Sequence, residues 1–197
     1  TILVESSYEG IEGYQIDING GTINVTASDD GINATSGGTQ IHGPTYVSTG
    51  GIININGGII QVNASSDGVD ANGDITMNGG YLIVYGPTTD MEAPLDFDES
   101  FTINGGMLIA LGSSGMALPL STTSIQASVL YVGTTTYKAG SIVSLLDSQD
   151  QVLISLQALK NYTSATISTA DMVLNESYTL SLDGDETTFT TNSVVTT

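Results

Sequence analysis

The sequence predicts an all-β fold: a right-handed parallel β-helix closed by a β-rich C-terminal cap. Three features of its 197 residues carry that expectation. The pattern Ile-x-Ile-Asn-Gly-Gly recurs, with substitutions, ending at Gly21, Gly58, Gly80 and Gly106. A second element, acidic-Gly-Ile/Val-acidic/Asn, accompanies it at Glu9-Gly10-Ile11-Glu12, Asp30-Gly31-Ile32-Asn33 and Asp67-Gly68-Val69-Asp70, with Ala93-Pro94-Leu95-Asp96 a degraded fourth copy. Apolar and polar residues alternate on both sides of each Gly-Gly. A repeat this short cannot bury its own hydrophobic face, so the copies must stack.

Before the glycines, Ile16/Ile18, Ile53/Ile55, Ile75/Met77 and Phe101/Ile103 alternate with Asp17, Asn54, Thr76 and Thr102. Period-two alternation points the first set inward and the second outward. After the glycines, Ile23/Val25, Ile60/Val62, Leu82/Val84 and Leu108/Ala110 form the next inward set. Each coil therefore holds at least two short strands meeting at an Asn-Gly-Gly corner, where glycine tolerates unusual backbone angles. Tight hairpins are the competing reading of an Asn-Gly pair. They fail because the inward pattern continues past each corner and repeats at intervals of 37, 22 and 26 residues. The longest interval predicts a loop near Gly37–Gly51, the 26-residue one a smaller loop around Pro87–Glu92. Right-handedness follows the usual crossover preference. Asn19, Asn56, Asn78 and Asn104 share one position and predict a hydrogen-bonded amide ladder.

From about Ser113 the repeat dissolves. Strands are expected at Ser128–Val132, Ser141–Leu145, Gln151–Leu156, Ala165–Ser168 and Tyr178–Leu182. An open solenoid end presents unpaired backbone groups and needs a cover. The expected organisation is therefore a β-helix over residues 1–127 and a β cap over 128–197.

Composition narrows the function. Twenty-one acidic residues face two Lys or Arg and one histidine, a net charge of −19. Nucleic acids and anionic membrane surfaces need basic patches, so neither is an expected partner. Plentiful, periodic apolar residues exclude disorder. No apolar run is long enough for a membrane-spanning helix, and the first residues do not read as a signal peptide, as a mature fragment's would not. Cysteine is absent, so packing and bound ions must replace disulfides.

Stacking aligns Glu9, Asp30 and Asp67 in one column and Glu12, Asn33, Asp70 and Asp96 in another. Neighbouring coils lie about 4.8 Å apart. Two full charges at that spacing repel by about 3 kcal/mol at an effective dielectric near 20. Oxygen ligands from successive coils suit a hard cation, so calcium, at more than one site, is the expected cofactor. Solvated acidic turns with diffuse counterions are the bland alternative. The spacing is not that of an EF-hand, and zinc is disfavoured with His42 as the lone soft ligand.

The outward face after each corner grows more apolar along the chain: Thr22/Asn24/Thr26, Ile59/Gln61/Asn63, Tyr81/Ile83/Tyr85, then Met107/Ile109/Leu111. Left open, its aromatic strip with Tyr81 and Tyr85 would stack against sugar rings. The C-terminal segment lying over it, forming a second core, is the stronger expectation. Tyr46 beside His42 in the long loop, and Tyr8 or Tyr14 near the first acidic turn, are further sugar-platform candidates.

The stretches Ser7-Tyr8-Glu9-Gly10-Ile11-Glu12-Gly13, Ile18-Asn19-Gly20-Gly21-Thr22-Ile23, Ala27-Ser28-Asp29-Asp30-Gly31-Ile32-Asn33-Ala34 and Val84-Tyr85-Gly86-Pro87 together resemble a bacterial family of carbohydrate-binding-domain-containing proteins with a clostridial member. The resemblance runs from about Tyr8 to Leu118. It implies a pectate-lyase-like β-helix, calcium between coils, and attachment to cellulose and polygalacturonate of the plant cell wall. It also implies calcium-site roles for Glu9, Glu12, Asp30, Asn33, Asp67 and Asp70. The fourth copy departs from the pattern and keeps only Asp96. The expected function is non-catalytic carbohydrate binding, outside the cell or on a bacterial surface. A calcium-stabilised adhesin or structural module is the alternative. Lyase activity is less expected, because proton abstraction needs a base and both lysines fall in the cap.

Overall fold

The computed structural model describes residues 1–35 and 50–197, and the backbone alone of residues 39–40 and 46–47. The fold is all-β, built from several sheets. In the largest, Ile2–Ser7, Gln15–Ala27, Ile52–Ala64, Tyr81–Tyr85 and Met107–Gly112 lie side by side in parallel. Asp74–Met77 and Ser100–Ile103 extend it on the other side of the corner. A second parallel sheet stacks Ile11–Gly13, Ile32–Ala34, Val69–Ala71 and Leu95–Phe97.

The register matches the sequence alignment. Ile16, Ile53, Ile75 and Phe101 stand in one row, and Ile23, Ile60, Leu82 and Leu108 in another. These side chains are buried together with Ile32, Val69 and Leu95 of the second sheet, giving one core enclosed by stacked turns. The strands do not break at the first two corners: Gln15–Ala27 and Ile52–Ala64 run straight through Gly-Gly, with a local shift of register between Ile18 and Thr22. The second glycine of each corner has positive φ, from 86° at Gly80 to 104° at Gly58, a region costly for residues with a Cβ. Outside the corner, Asn56 donates to Asn19, Asn78 to Asn56 and Asn104 to Asn78, each at 2.9 Å. The amide ladder is present.

Two segments cover the last coil. Tyr162–Thr169 pairs antiparallel with Met107–Gly112, and Ser128–Tyr137 adds beyond it. The edge of Ser100–Ile103 is satisfied differently: Ser121 and Ser124 hydroxyls accept from Phe101 and Ile103 amides, and Leu120 plugs the core. A four-stranded antiparallel sheet follows, Val152–Gln157, Ile142–Leu146, Ser177–Leu182 and Asp185–Thr190. It packs over the outward face, where Tyr85, Ile109 and Leu111 join Val143, Leu145 and Leu180 in a second core.

Two polar contacts pin this seam. The Tyr85 hydroxyl donates to the Gln157 carbonyl at 3.3 Å, and the half-buried Lys160 ammonium donates to the Ala64 carbonyl. Burial lowers the Lys160 pKa. Lys160→Met keeps the stem and strands that carbonyl, so urea unfolding should show a loss of about 1–2 kcal/mol. Among the described residues no helix is long and apolar enough to cross a membrane.

Candidate functional site

Each acidic-Gly turn carries one carboxylate before the glycine and one polar residue two positions after it, directly behind the inward apolar plug. The glycine is demanded by its neighbours. A Cβ on Gly31 would lie 2.5 Å from the Gly68 carbonyl oxygen and 2.1 Å from Val62; on Gly68, 2.3 Å from the Pro94 oxygen and 2.2 Å from Val84. The next coil's backbone passes through the space a side chain would need.

In the first column the aspartates are tied to the coil that follows. Asp30 Oδ1 accepts from the Asp67 amide at 3.0 Å, and Asp67 Oδ1 accepts from the Ala93 amide at 2.6 Å. Asp30 Oδ2 accepts from the Asn33 side chain at 3.2 Å. Each aspartate thus clamps the equivalent turn one coil on. Sequence reading treated these groups as crowded charges and calcium ligands and missed this role. The signal was the side-chain length: aspartate reaches the neighbouring amide, whereas Glu9 Oε2 is buried with no hydrogen-bond partner.

The second column follows strand register, Glu12 to Asn33 to Asp70 to Asp96. Asn33 Oδ1 is buried and also unpartnered. Asp96 Oδ1 accepts from its neighbour's amide, that of Phe97, at 3.0 Å.

Burial dominates the electrostatics, and the columns reinforce it. The Asp67 carboxyl is pushed up to about 7, chiefly by burial and then by the charges of Asp96, Asp30 and Glu92. Asp70 is pushed up to about 8 by burial, then by Asp30, Asp96 and Asp67. Glu9, Asp30 and Asp96 are raised as well, in each case first by burial. Among the described residues no three His, Cys, Asp or Glu side chains converge closely enough to form a metal cluster. The columns interleave Asn33 and backbone groups between their carboxylates.

The tyrosine candidates separate. Tyr8 is 71% exposed beside the first acidic turn, where its hydroxyl meets Asp29, whose bond and charge raise its pKa. Tyr14 is exposed too. Tyr81 is 50% exposed. Tyr85 departs from the expectation of a sugar platform: at 3% exposure its ring is enclosed under the four-stranded sheet, because the apolar half of the outward face is covered there. The Tyr46 side chain and all of His42 lie outside the described residues.

Tyr81 borders a cleft of about 400 Å³ between the last two Gly-Gly corners and the C-terminal strands. Gly79, Gly80 and Gly106 form its bare floor, Met107 and Leu153 its apolar wall, and Asp171 its rim.

The model of the family described as carbohydrate-binding domain-containing protein matches residues 1–177, nearly the whole chain. The chain belongs to this family. No curated protein and no solved structure matches it. As a carbohydrate-binding domain it offers two chemically distinct surfaces. One is the pair of acidic columns with Tyr8 and Asp29 beside them; the other is the open outward face ending at Tyr81. Within that family membership, Asp171 and Leu153 had no signal in the sequence, because they come from the segment in which the repeat is lost.

Proposed function

We propose that this protein binds plant cell-wall polysaccharide, cellulose and polygalacturonate, without catalysis, outside the cell or at the bacterial surface. On this reading residues 1–127 form a right-handed, pectate-lyase-like solenoid and residues 128–197 its cap. The observation that carries the site is the set of carboxyls with raised pKa, Asp67 buried and Asp30, Asp70 and Asp96 half-buried, flanked by two orphaned oxygens on Glu9 and Asn33. Orphaned buried acceptors cost free energy unless something donates to them or coordinates them.

This donor set fits calcium, which takes six to eight oxygens from carboxylates, amides, backbone carbonyls and water and does not require three converging carboxylates. Glu9, Glu12, Asp30, Asn33, Asp67, Asp70 and Asp96 would supply the side-chain oxygens. When bound, calcium would supply positive charge that a chain of net charge −19 otherwise lacks. Polygalacturonate carboxylates then meet a surface that no longer repels them. Catalysis by proton abstraction has no support in this arrangement: Lys160 is engaged by the Ala64 carbonyl, and carboxylates holding an ion are not free to carry protons.

Pull-down on insoluble cellulose and on polygalacturonate, with calcium or with excess chelator, tests the reading. Chelation should release polygalacturonate and leave cellulose retention unchanged. Equal retention of polygalacturonate after complete calcium removal would defeat the bridge. Absorbance of an unsaturated product would reinstate a lyase, and failure to retain either glycan would favour the adhesin.

A further inference from the structure

The cleft beside Tyr81 exists for a structural reason. The corners at Gly80 and Gly106 hold positive φ, and the glycines before them stand against the preceding coil's backbone, so no side chain fills the floor. Here the C-terminal region closes over that bare backbone, with Leu153 and the Thr169–Asp171 turn forming the far side.

Three properties of the cleft define what it takes. The half-exposed Tyr81 ring and the thioether of Met107 provide an apolar face suited to stacking against the C–H face of a pyranose. Asp171 provides acceptors: its Oδ2 accepts a long 3.4 Å bond from Thr169, while its Oδ1 accepts none from a described residue. Among the described residues lining the cleft there is no lysine, arginine or histidine to neutralise a uronate. Its volume of about 400 Å³ lies within the range of small-ligand sites.

Strand register extends the cleft outward. Met107, Tyr81, Ile59 and Thr22 occupy one row across four parallel strands. That row is about 14 Å long at the usual strand spacing. Ile59 is exposed beside Tyr81, so the apolar strip leaves the cleft and continues over the open face.

We propose that this cleft, with Tyr81 as its stacking platform and Asp171 as its hydroxyl acceptor, is a binding subsite for an uncharged pyranose chain, separate from the acidic columns. It rests on the carbohydrate-binding reading and divides that reading between two surfaces. Neutral glycan enters at the seam between the stacked coils and the C-terminal sheet, and charged glycan is left to the columns.

Isothermal titration of the full chain with cellohexaose and with a galacturonate hexamer, each with and without chelator, tests this division. Wild-type protein should bind cellohexaose whether or not calcium is removed. Tyr81→Ala should weaken that binding about tenfold or more, and Tyr81→Phe should restore it to within about twofold, since the ring rather than the hydroxyl stacks. Asp171→Leu should weaken it severalfold, and Asp171→Asn, which keeps an acceptor, should weaken it less. Melting temperatures of the four variants, each altered at an exposed position, confirm that they are folded. Unchanged cellohexaose affinity in folded Tyr81→Ala would overturn the cleft while leaving cellulose binding elsewhere intact. Absence of any neutral-glycan binding by wild type would overturn it too; if calcium-dependent polygalacturonate retention persisted in the same preparation, the columns' part of the proposed function would stand.

Discussion

Gly31→Ala and Gly68→Ala should each destabilise the protein by about 3 kcal/mol or more, the upper end of what overpacking costs. Both glycines have ordinary backbone angles, so the penalty is not conformational. It comes from a collision: the added methyl meets a carbonyl oxygen of the next coil and a core valine at distances no real Cβ adopts. Neither neighbour can retreat cheaply. The Gly68 carbonyl accepts from the Ile32 amide at 3.1 Å, and the Pro94 carbonyl accepts from the Val69 amide at 3.2 Å. Val62 and Val84 are fully buried. Relief therefore means pushing two coils apart, which also stretches the Asp30 and Asp67 clamps on either side. A chain of this size loses about 2–4 °C of Tm per kcal/mol, so a fall of roughly 6–12 °C is expected in thermal melts. Gly13→Ala is the control, because its Cβ would make only ordinary contacts, the closest at 3.5 Å. A Gly31→Ala melt indistinguishable from wild type would show that the coils are not packed as described.

That contrast between glycines also marks where sequence reasoning succeeds. Alternation and the Gly-Gly spacing placed Ile16, Ile53, Ile75 and Phe101 in one inward row, because side-chain direction along a strand depends only on counting by two. The same counting put Glu12, Asn33, Asp70 and Asp96 in register. It could not say what the carboxylates touch, since the Asp30 and Asp67 hydrogen bonds cross to backbone 37 and 26 residues away. It also left Tyr85 open to two readings. The covering sheet is assembled from segments that share no repeat with the stacked parallel strands, and its last full strand, Asp185–Thr190, is mostly exposed and polar. The signal passed over was Asp183-Gly184, a two-residue turn with both φ positive that folds this segment back on Ser177–Leu182.

The second large effect is a stability that falls as pH rises in metal-free protein. Five of the columns' carboxyls have native pKa values above their unfolded ones: Asp67 about 7 and Asp70 about 8, against a starting value of 3.8, with Glu9, Asp30 and Asp96 displaced the same way. Between about pH 4 and pH 8 the folded state therefore holds protons that the unfolded chain has released. Stability must fall across that window and level off above it, where both states are ionised. In chelator, Tm should drop by roughly 5–10 °C from pH 5 to pH 9. Asp67→Asn and Asp70→Asn should each flatten the slope, and the first keeps an acceptor for the Ala93 amide, so the clamp survives the test. On the proposed reading calcium would act in the opposite sense, since oxygen ligands must be deprotonated to coordinate it and binding expels the protons. At about one hundred times its dissociation constant a ligand adds about 2.7 kcal/mol. Saturating calcium at pH 8 should thus return roughly 5–10 °C, while the same addition at pH 5 returns little. A Tm at pH 8 that calcium does not move would remove the ion from the columns and leave the aspartates as turn clamps alone.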